Sequence, residues 1–363
     1  MSMPTPLPIS TAFVPHKILL IKLRHHGDML LTTPVINALR QHYPSASIDV
    51  LLYDETRPML QANPAIHRLH IIDRNWKKEG SWQHIRHEVG LVQTVRQQHY
   101  DLVINLADQW RSAILTQLSG ATFRIGFDFR KRQNVLWRLA HTHLISTADH
   151  NELHTVEQNL AALAPLGIPL THFPASMHYS DSDWQQTLNI LEKQHTSPER
   201  CIVIQPTSRW MFKCWEDDKV AGLIDALATS GYEIVLTAAP DKKEQAMIDN
   251  ILSLCHHRNV ISLAGKLTIP QLAALIDHAR LFIGVDSAPM HMAAALNTPC
   301  IALFGPTKLK QWRPWGENNQ VIWAGDFASL PLPDSIDTNT ETRYLSAIPL
   351  DEVVKAARKY LDE

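Results

Sequence analysis

The side chain best placed to act as a base is Asp28. It follows Gly27 in the turn Arg24-His25-His26-Gly27-Asp28, directly after the apolar run KILLIKL at 17–23. In open α/β sheets, ligands bind beyond the carboxyl ends of the strands. A carboxylate at that edge can take a proton from a substrate hydroxyl. Asp is also a good helix N-cap, and capping a helix expected over 29–43 explains the same position. The two roles are compatible in place and differ in what substitution does.

A second set of residues suits a diphosphate. After LFIGV (281–285) come Asp286, Ser287, Ala288, Pro289, Met290 and His291. Ser287 is a good N-cap, and Pro289 in a first turn loses no hydrogen bond. A capped helix alone would account for that, but a helix N-terminus also offers free N–H groups and partial positive charge to a phosphate. After CIALF (300–304) the turn Gly305-Pro306-Thr307 exposes further N–H groups, and after CIVIQ (201–205) come Pro206, Thr207, Ser208 and Arg209, with Lys213 beyond. Three strand ends carrying hydroxyls, glycine and a lysine favour one diphosphate site. His291 by spacing alone reads as a core histidine.

The common phosphate signatures are missing. There is no GxGxxG, and in the one approach to GxxxxGK[ST], at Gly265-Lys266, Val260 stands where the first glycine must be. That disfavours a dinucleotide dehydrogenase and a P-loop NTPase. No Asp-x-Asp at a strand end presents paired carboxylates to a divalent metal. Basic and aromatic residues cluster at Arg74, Trp76, Lys77, Lys78 and Trp82, and again at Arg124, Arg130, Lys131, Arg132 and Arg138. Such runs are commonly solvated surface; Arg also grips phosphate.

The elements that must hold these residues alternate strand and helix. Strands are expected at 17–23, 48–53, 101–106 and 122–127, then at 201–205, 233–237, 259–263, 281–285 and 300–304. Helices are expected over 29–43, from about 109, over 151–166, 216–230, 241–255, 270–279, 288–297 and 350–361. This pattern means parallel sheets covered on both faces. A break near 167–200 divides it into two doubly wound domains facing each other across a cleft.

With 363 residues and 45% apolar side chains, each half can bury its own core. The whole chain carries a net charge of −2, which excludes a generic nucleic-acid binder. Residues 1–170 hold 17 Lys/Arg against 13 Asp/Glu, and 13 of the 20 histidines, which suggests an anionic partner for that half. Cys201, Cys214, Cys255 and Cys300 form no CxxC pair, so a disulfide framework or zinc site is not expected and a reducing cytoplasm is. The proline-rich start lacks a signal-peptide pattern, and no apolar run reaches membrane-spanning length.

The segments KILLIKLRHHGDMLLTTPVINALR and GVDSAPMHMAAALNTPCIALFGPT resemble the bacterial lipopolysaccharide-core heptosyltransferases, glycosyltransferase family 9. The resemblance runs from Lys17 to about Trp315. RHHGDMLLTTPVI, RIGFDFRKRQ and PTSRWMFKCW look most like the type III branch, which modifies the second inner-core heptose. The resemblance implies a GT-B fold. A tail at 1–16 would be flexible, 17–175 would bind the acceptor, 176–345 would bind the donor, and 346–363 would be a helix packing back on the N-terminal domain. It further implies ADP-L-glycero-D-manno-heptose as donor and inversion in one displacement without a metal or other cofactor. The acceptor would be the lipid A–Kdo–heptose core at the cytoplasmic face of the inner membrane, touched peripherally.

Carried over by position, Asp28 is the base. Thr207, Ser208, Lys213, Asp241, Asp286, Ser287, His291, Gly305 and Thr307 bind the donor, with Lys213 on the diphosphate and Asp241 on the ribose. Arg57, Arg124, Arg130, Lys131 and Arg132 bind the acceptor. Two other readings stay open: a transferase of the same fold using another sugar nucleotide, and a non-catalytic nucleotide-sugar or core-binding protein.

Overall fold

The computed structural model describes residues 8–229, 231–257 and 259–361. The chain divides into two compact units, Met1–Pro174 and Ala175–Glu363.

In the first unit the strands are β1 (Lys17–Ile21), β2 (Ser47–Tyr53), β3 (Arg68–Ile72), β4 (Leu102–Asn105), β5 (Phe123–Asp128) and β6 (His143–Ser146). They form one parallel sheet in the order β3-β2-β1-β4-β5-β6. The helices are α1 (His26–Leu30), α2 (Thr33–His42), α3 (Ser81–Gln97), α4 (Trp110–Leu118), α5 (Val135–Ala140) and α6 (Thr155–Leu160). Central strands β1 and β4 are apolar runs because helices cover both their faces. Leu19, Ile21, Leu51 and Val103 meet in that core.

The single helix expected over 29–43 is two. Pro34 has no N–H to donate, so the chain ends α1, turns at Leu31 and Thr32, and restarts with Pro34 in the first turn of α2. The tail expected to be flexible is docked where it is described: Ile9 is buried and donates its N–H to the Pro165 carbonyl at 2.8 Å, and Phe13 packs edge-on to Phe123 at 4.5 Å. Residues 1–7 of that tail lie outside the described residues.

The second unit repeats the pattern with β7 (Cys201–Gln205), β8 (Glu233–Leu236), β9 (Val260–Ser262), β10 (Leu281–Val285), β11 (Cys300–Phe304) and β12 (Asn319–Trp323), in the order β12-β11-β10-β7-β8-β9. Its helices are α7 (Asp181–Glu192), α8 (Asp217–Ala228), α9 (Lys242–Leu254), α10 (Ile269–His278), α11 (Ala288–Ala295), α12 (Leu309–Trp312) and α13 (Leu350–Tyr360). Helix α7 occupies the stretch read as a break; Ser180 and Asp183 close a capping box at its start, and Trp184 stacks on His278 of α10 at 3.6 Å.

The resemblance implies a final helix that packs back on the N-terminal domain; the apolar face of α13 is built into the second unit's own core, where Val353, Ala357 and Leu361 are buried with Ile224 and Leu281. Trp215 donates its indole N–H to the Ile348 carbonyl at 3.2 Å. Gly222 of α8 makes room for the helix, since a Cβ there would stand 2.7 Å from Leu350. Truncating a fully buried side chain such as Val353 or Ile224 would cost about 1–5 kcal/mol, depending on how far the space collapses.

Candidate functional site

In each sheet the strand order reverses once, and the loops on either side of that switch point form the natural crevice for a ligand. In the first unit the switch lies between β1 and β4. Asp28 sits after β1 as the third residue of α1, half-buried. The N-cap position of α1 is His25, and Thr32 fills that place for α2, so Asp28 caps neither helix. The N-cap alternative falls. The carboxylate accepts no hydrogen bond from the described residues, while its main-chain carbonyl accepts one from Thr32 Oγ1 at 2.8 Å.

Two buried charged residues at this switch point escaped the sequence reading. Lys22, just past the end of β1, is buried, and its Nζ donates to Asn159 Oδ1 at 3.0 Å. Asn159 Nδ2 in turn donates to the Leu31 carbonyl at 3.0 Å, which ties α6 to the end of α1. Burial pushes the Lys22 ammonium below its ordinary pKa, the charges of Asp28 and Asp108 oppose that, and Arg24 adds to it. A lysine inside an otherwise apolar strand was the available signal.

The second is Asp108, buried in the loop after β4 and, like Asp28, within electrostatic reach of Lys22. Arg24 Nη2 reaches its Oδ2 at 3.0 Å, and Lys131 pairs with the same oxygen. Arg132 Nε donates to the Asp108 carbonyl at 2.7 Å, and its guanidinium lies 5.4 Å from the Trp110 ring centre. Burial alone would raise the Asp108 carboxyl; Lys131 and Arg24 outweigh it and hold it below the usual range. The structure therefore brings Lys131 and Arg132 together with Arg24 at the switch point, and Arg130 stands exposed beside them. Arg57 lies just after β2, half-exposed and 3.7 Å from Asp54, on a turn packed against α1.

Arg124 does not join them. It sits near the amino end of β5, at the opposite edge, where Nε and Nη1 donate to the carbonyls of Ala140 (3.0 Å) and Ala121 (2.7 Å). It staples the fold, and its expected acceptor contact is withdrawn.

In the second unit the switch lies between β7 and β10. Lys213, on a 3₁₀ turn after β7, pairs with Asp286, after β10, at 2.7 Å; both are largely buried. The Lys213 ammonium also lies 5.0 Å from the Trp210 ring centre. Ser287 holds the N-cap position of α11, but its hydroxyl makes no capping bond. That hydroxyl and Thr307 Oγ1, in the turn after β11, are both shut off from solvent without a hydrogen-bond partner among the described residues. Two orphaned hydroxyls beside a helix N-terminus and a lysine are what a diphosphate ester would satisfy. His291 is buried in the first turns of α11.

Three expected donor residues have other occupations. The Thr207 hydroxyl donates to Glu244 Oε2 at 2.6 Å and accepts from Gln205 Nε2 at 2.9 Å. Asp241 caps α9, its Oδ1 accepting from the N–H groups of Lys243 and Glu244. Gly305 leaves space for Leu345, which a Cβ there would approach to 2.7 Å, so packing already explains that glycine. Ser208 stays half-buried, its hydroxyl accepting weakly from Trp210 N at 3.4 Å. The sequence reading missed Glu244, which the D-x-x-E spacing of a capping box signals. Among the described residues, no three or more His, Cys, Asp or Glu side chains gather as metal ligands.

The profile of glycosyltransferase family 9 (heptosyltransferase) matches residues 89–340. Lipopolysaccharide heptosyltransferase 3 of Escherichia coli is 45% identical over 339 residues, 93% of this chain and 97% of that one. Among solved structures, a glycosyl transferase family 9 protein from Veillonella parvula superposes with a TM-score of 0.82 at 21% identity, covering 98% of this chain and all of that one. An E. coli heptosyltransferase, WaaC, solved with ADP-2-deoxy-2-fluoro heptose, superposes with a TM-score of 0.70 at 20% identity, covering 94% of this chain and 99% of that one. The paired doubly wound units and this likeness make the fold GT-B-like.

Proposed function

The chain belongs to glycosyltransferase family 9, and we propose from that premise that it moves L-glycero-D-manno-heptose from ADP-heptose to a heptose of the lipopolysaccharide inner core. The likeness to heptosyltransferase 3 supports the choice of sugar and acceptor. The observation that carries the chemistry is the buried Lys213–Asp286 pair at the second switch point, flanked by two unsatisfied hydroxyls.

An acceptor hydroxyl is a weak nucleophile, and Asp28 takes its proton as the new bond forms. The attack comes from the side opposite the departing ADP, so the anomeric configuration inverts. Charge grows on the leaving diphosphate. Lys213 and the free N–H groups of α11 meet it, with Ser287 and Thr307 as hydroxyl donors. Asp286 holds the Lys213 ammonium in place before the donor arrives. No step in this scheme calls for a metal. The acceptor's carboxylates and phosphates find Arg24, Lys131 and Arg132 at the first switch point, with Arg57 and Arg130 near it. The acceptor is carried by lipid, so the protein works peripherally at the cytoplasmic face of the inner membrane.

The test is transfer in vitro. ADP-heptose and a core truncated before this sugar should give a product heavier by one heptose, and activity should persist in excess EDTA. Transfer of a hexose from another sugar nucleotide favours the rival transferase. No product from any donor leaves a binding protein. Activity that EDTA abolishes and Mg²⁺ restores overturns the metal-free scheme.

A further inference from the structure

Helices α3, α4 and α5 form one layer. The steps from β3 to β4, β4 to β5 and β5 to β6 all run in the same direction across the sheet, and right-handed crossovers put their helices on one face. Helix α4 packs between the other two. Thirteen large apolar side chains stand exposed among the described residues, and eight of them lie on these three helices. On α3, Trp82, Ile85 and Val89 recur at helical spacing, so they make one stripe, with Trp82 81% exposed. On α5, Val135, Leu136 and Leu139 are all more than 60% exposed. The outer side of a surface helix is ordinarily polar.

The same region is strongly basic. Residues 74–140 contain eleven Lys/Arg and five Asp/Glu. Three of those acids are already paired with basic neighbours: Glu79 with His87, Glu88 with Arg111 and Asp108 with Arg24. Lys77, Lys78, Arg86, Arg130 and Arg138 are exposed. A second copy docking through this face would set like charge against like charge. Apolar side chains ringed by Lys and Arg instead match a bilayer rich in anionic headgroups, which the apolar groups enter and the charges hold.

We propose that α3, α4 and α5 are the face with which this protein lies on an anionic phospholipid surface. Trp82, Val135 and Leu136 stand in the first turns of α3 and α5, toward the edge of the sheet that carries Asp28. A lipid-borne acceptor can then present its sugars to that edge while its acyl chains stay in the bilayer. This surface deepens the membrane contact in the proposed function, and rests on it for the acceptor alone. Binding to vesicles needs neither substrate.

The test is cosedimentation of the full chain with vesicles of phosphatidylglycerol and phosphatidylethanolamine, against vesicles of phosphatidylcholine. The chain should bind the anionic vesicles and release them at high salt. The quadruple variant Trp82→Ser, Ile85→Ser, Val135→Ser, Leu136→Ser should partition about tenfold less, with an unchanged melting temperature. It should keep wild-type transfer to a deacylated, water-soluble core. Failure of the wild type to bind anionic vesicles overturns the surface, and so does a variant that binds equally. A wild-type dimer that the four substitutions dissolve assigns the face to a second copy and also overturns it. Vesicle binding without heptose transfer to the soluble core leaves the surface standing and removes the proposed reaction.

Discussion

The two switch points answer a buried carboxylate in different ways. In the first unit, Asp108 faces Arg24 and Lys131, whose side chains are 43% and 60% exposed. In the second, Asp286 faces Lys213 alone among the described residues, with the two side chains 7% and 14% exposed. The first arrangement leaves positive charge over, spread where water and salt reach it. The second is a closed one-to-one pair beside neutral hydroxyls. A partner with scattered anionic groups and a flexible lipid anchor suits the first. A compact diphosphate whose charge must be met at short range suits the second, because Coulomb attraction strengthens as water is excluded.

The largest effect should come from the group that neither ion pair contains. Asp28→Asn should lower kcat/KM by roughly 10²–10⁴ with little change in a urea melt, because Asp28 caps no helix. A variant with wild-type activity would remove the base from the first unit and collapse the division of labour.

Next comes the closed pair. Lys213→Ala should remove about 2–4 kcal/mol of transition-state stabilisation and also lower the melting temperature, since Asp286 is left charged and buried. Lys213→Met with Asp286→Asn should restore the melt without restoring transfer. By contrast, Arg24→Gln should shift the melt by under about 1 kcal/mol, the scale of a half-exposed pair. Equal stability losses at the two sites would erase the contrast between them.

A third experiment uses acid. In the first unit His141 is buried; its Nδ1–H donates to the Trp137 carbonyl at 2.8 Å, and its Nε2 accepts from Asn105 Nδ2 at 3.1 Å. Asn105 Oδ1 is held by the Ala107 N–H, so the amide cannot turn to receive a second ring proton. Burial lowers the His141 pKa to about 4. The unfolded chain, with an ordinary histidine near 6.5, binds that proton first as pH falls. Stability is therefore intact above about pH 6.5 and is lost progressively toward pH 4, by up to about 3 kcal/mol. Hydrogen exchange at pH 7 and pH 5 should show protection falling first in the first unit, and His141→Gln should flatten that slope. Equal loss in both units would assign the acid response elsewhere.

The smallest effect should fall on the exposed cluster. Neutralising Arg130, Lys131 and Arg132 together should raise the acceptor KM by about three- to tenfold, leave the donor KM unchanged and weaken the salt dependence, as expected of charges screened over ~8 Å. Kinetics with each substrate varied over a range of salt decide it. An unchanged salt response would mean that the acceptor is held through other groups, with Arg57, Arg74 and Lys77 next to examine.

The alternation of strands and helices, the two doubly wound units and the loops that hold Asp28, Lys213, Asp286 and Ser287 were legible in the sequence. Buried central strands are apolar runs, and the turns at their carboxyl ends use a short list of residue types. Strands β3, β6 and β12 were not legible. They are sheet edges, where only part of each strand is buried and residues such as Arg68, His143 and Asn319 interrupt the pattern. Tertiary structure alone decided which polar groups are engaged. Asp241 and Thr207 have the right types and positions for a ligand, yet one caps α9 and the other is held by Glu244, 37 residues away. Arg124 belongs by composition with Arg130 and Lys131, but the extended chain of β5 runs between them and leaves it near the opposite edge. Partners that meet only after the sheet closes, such as Lys213 with Asp286 across 73 residues, are set by strand order, and strand order is a property of the fold.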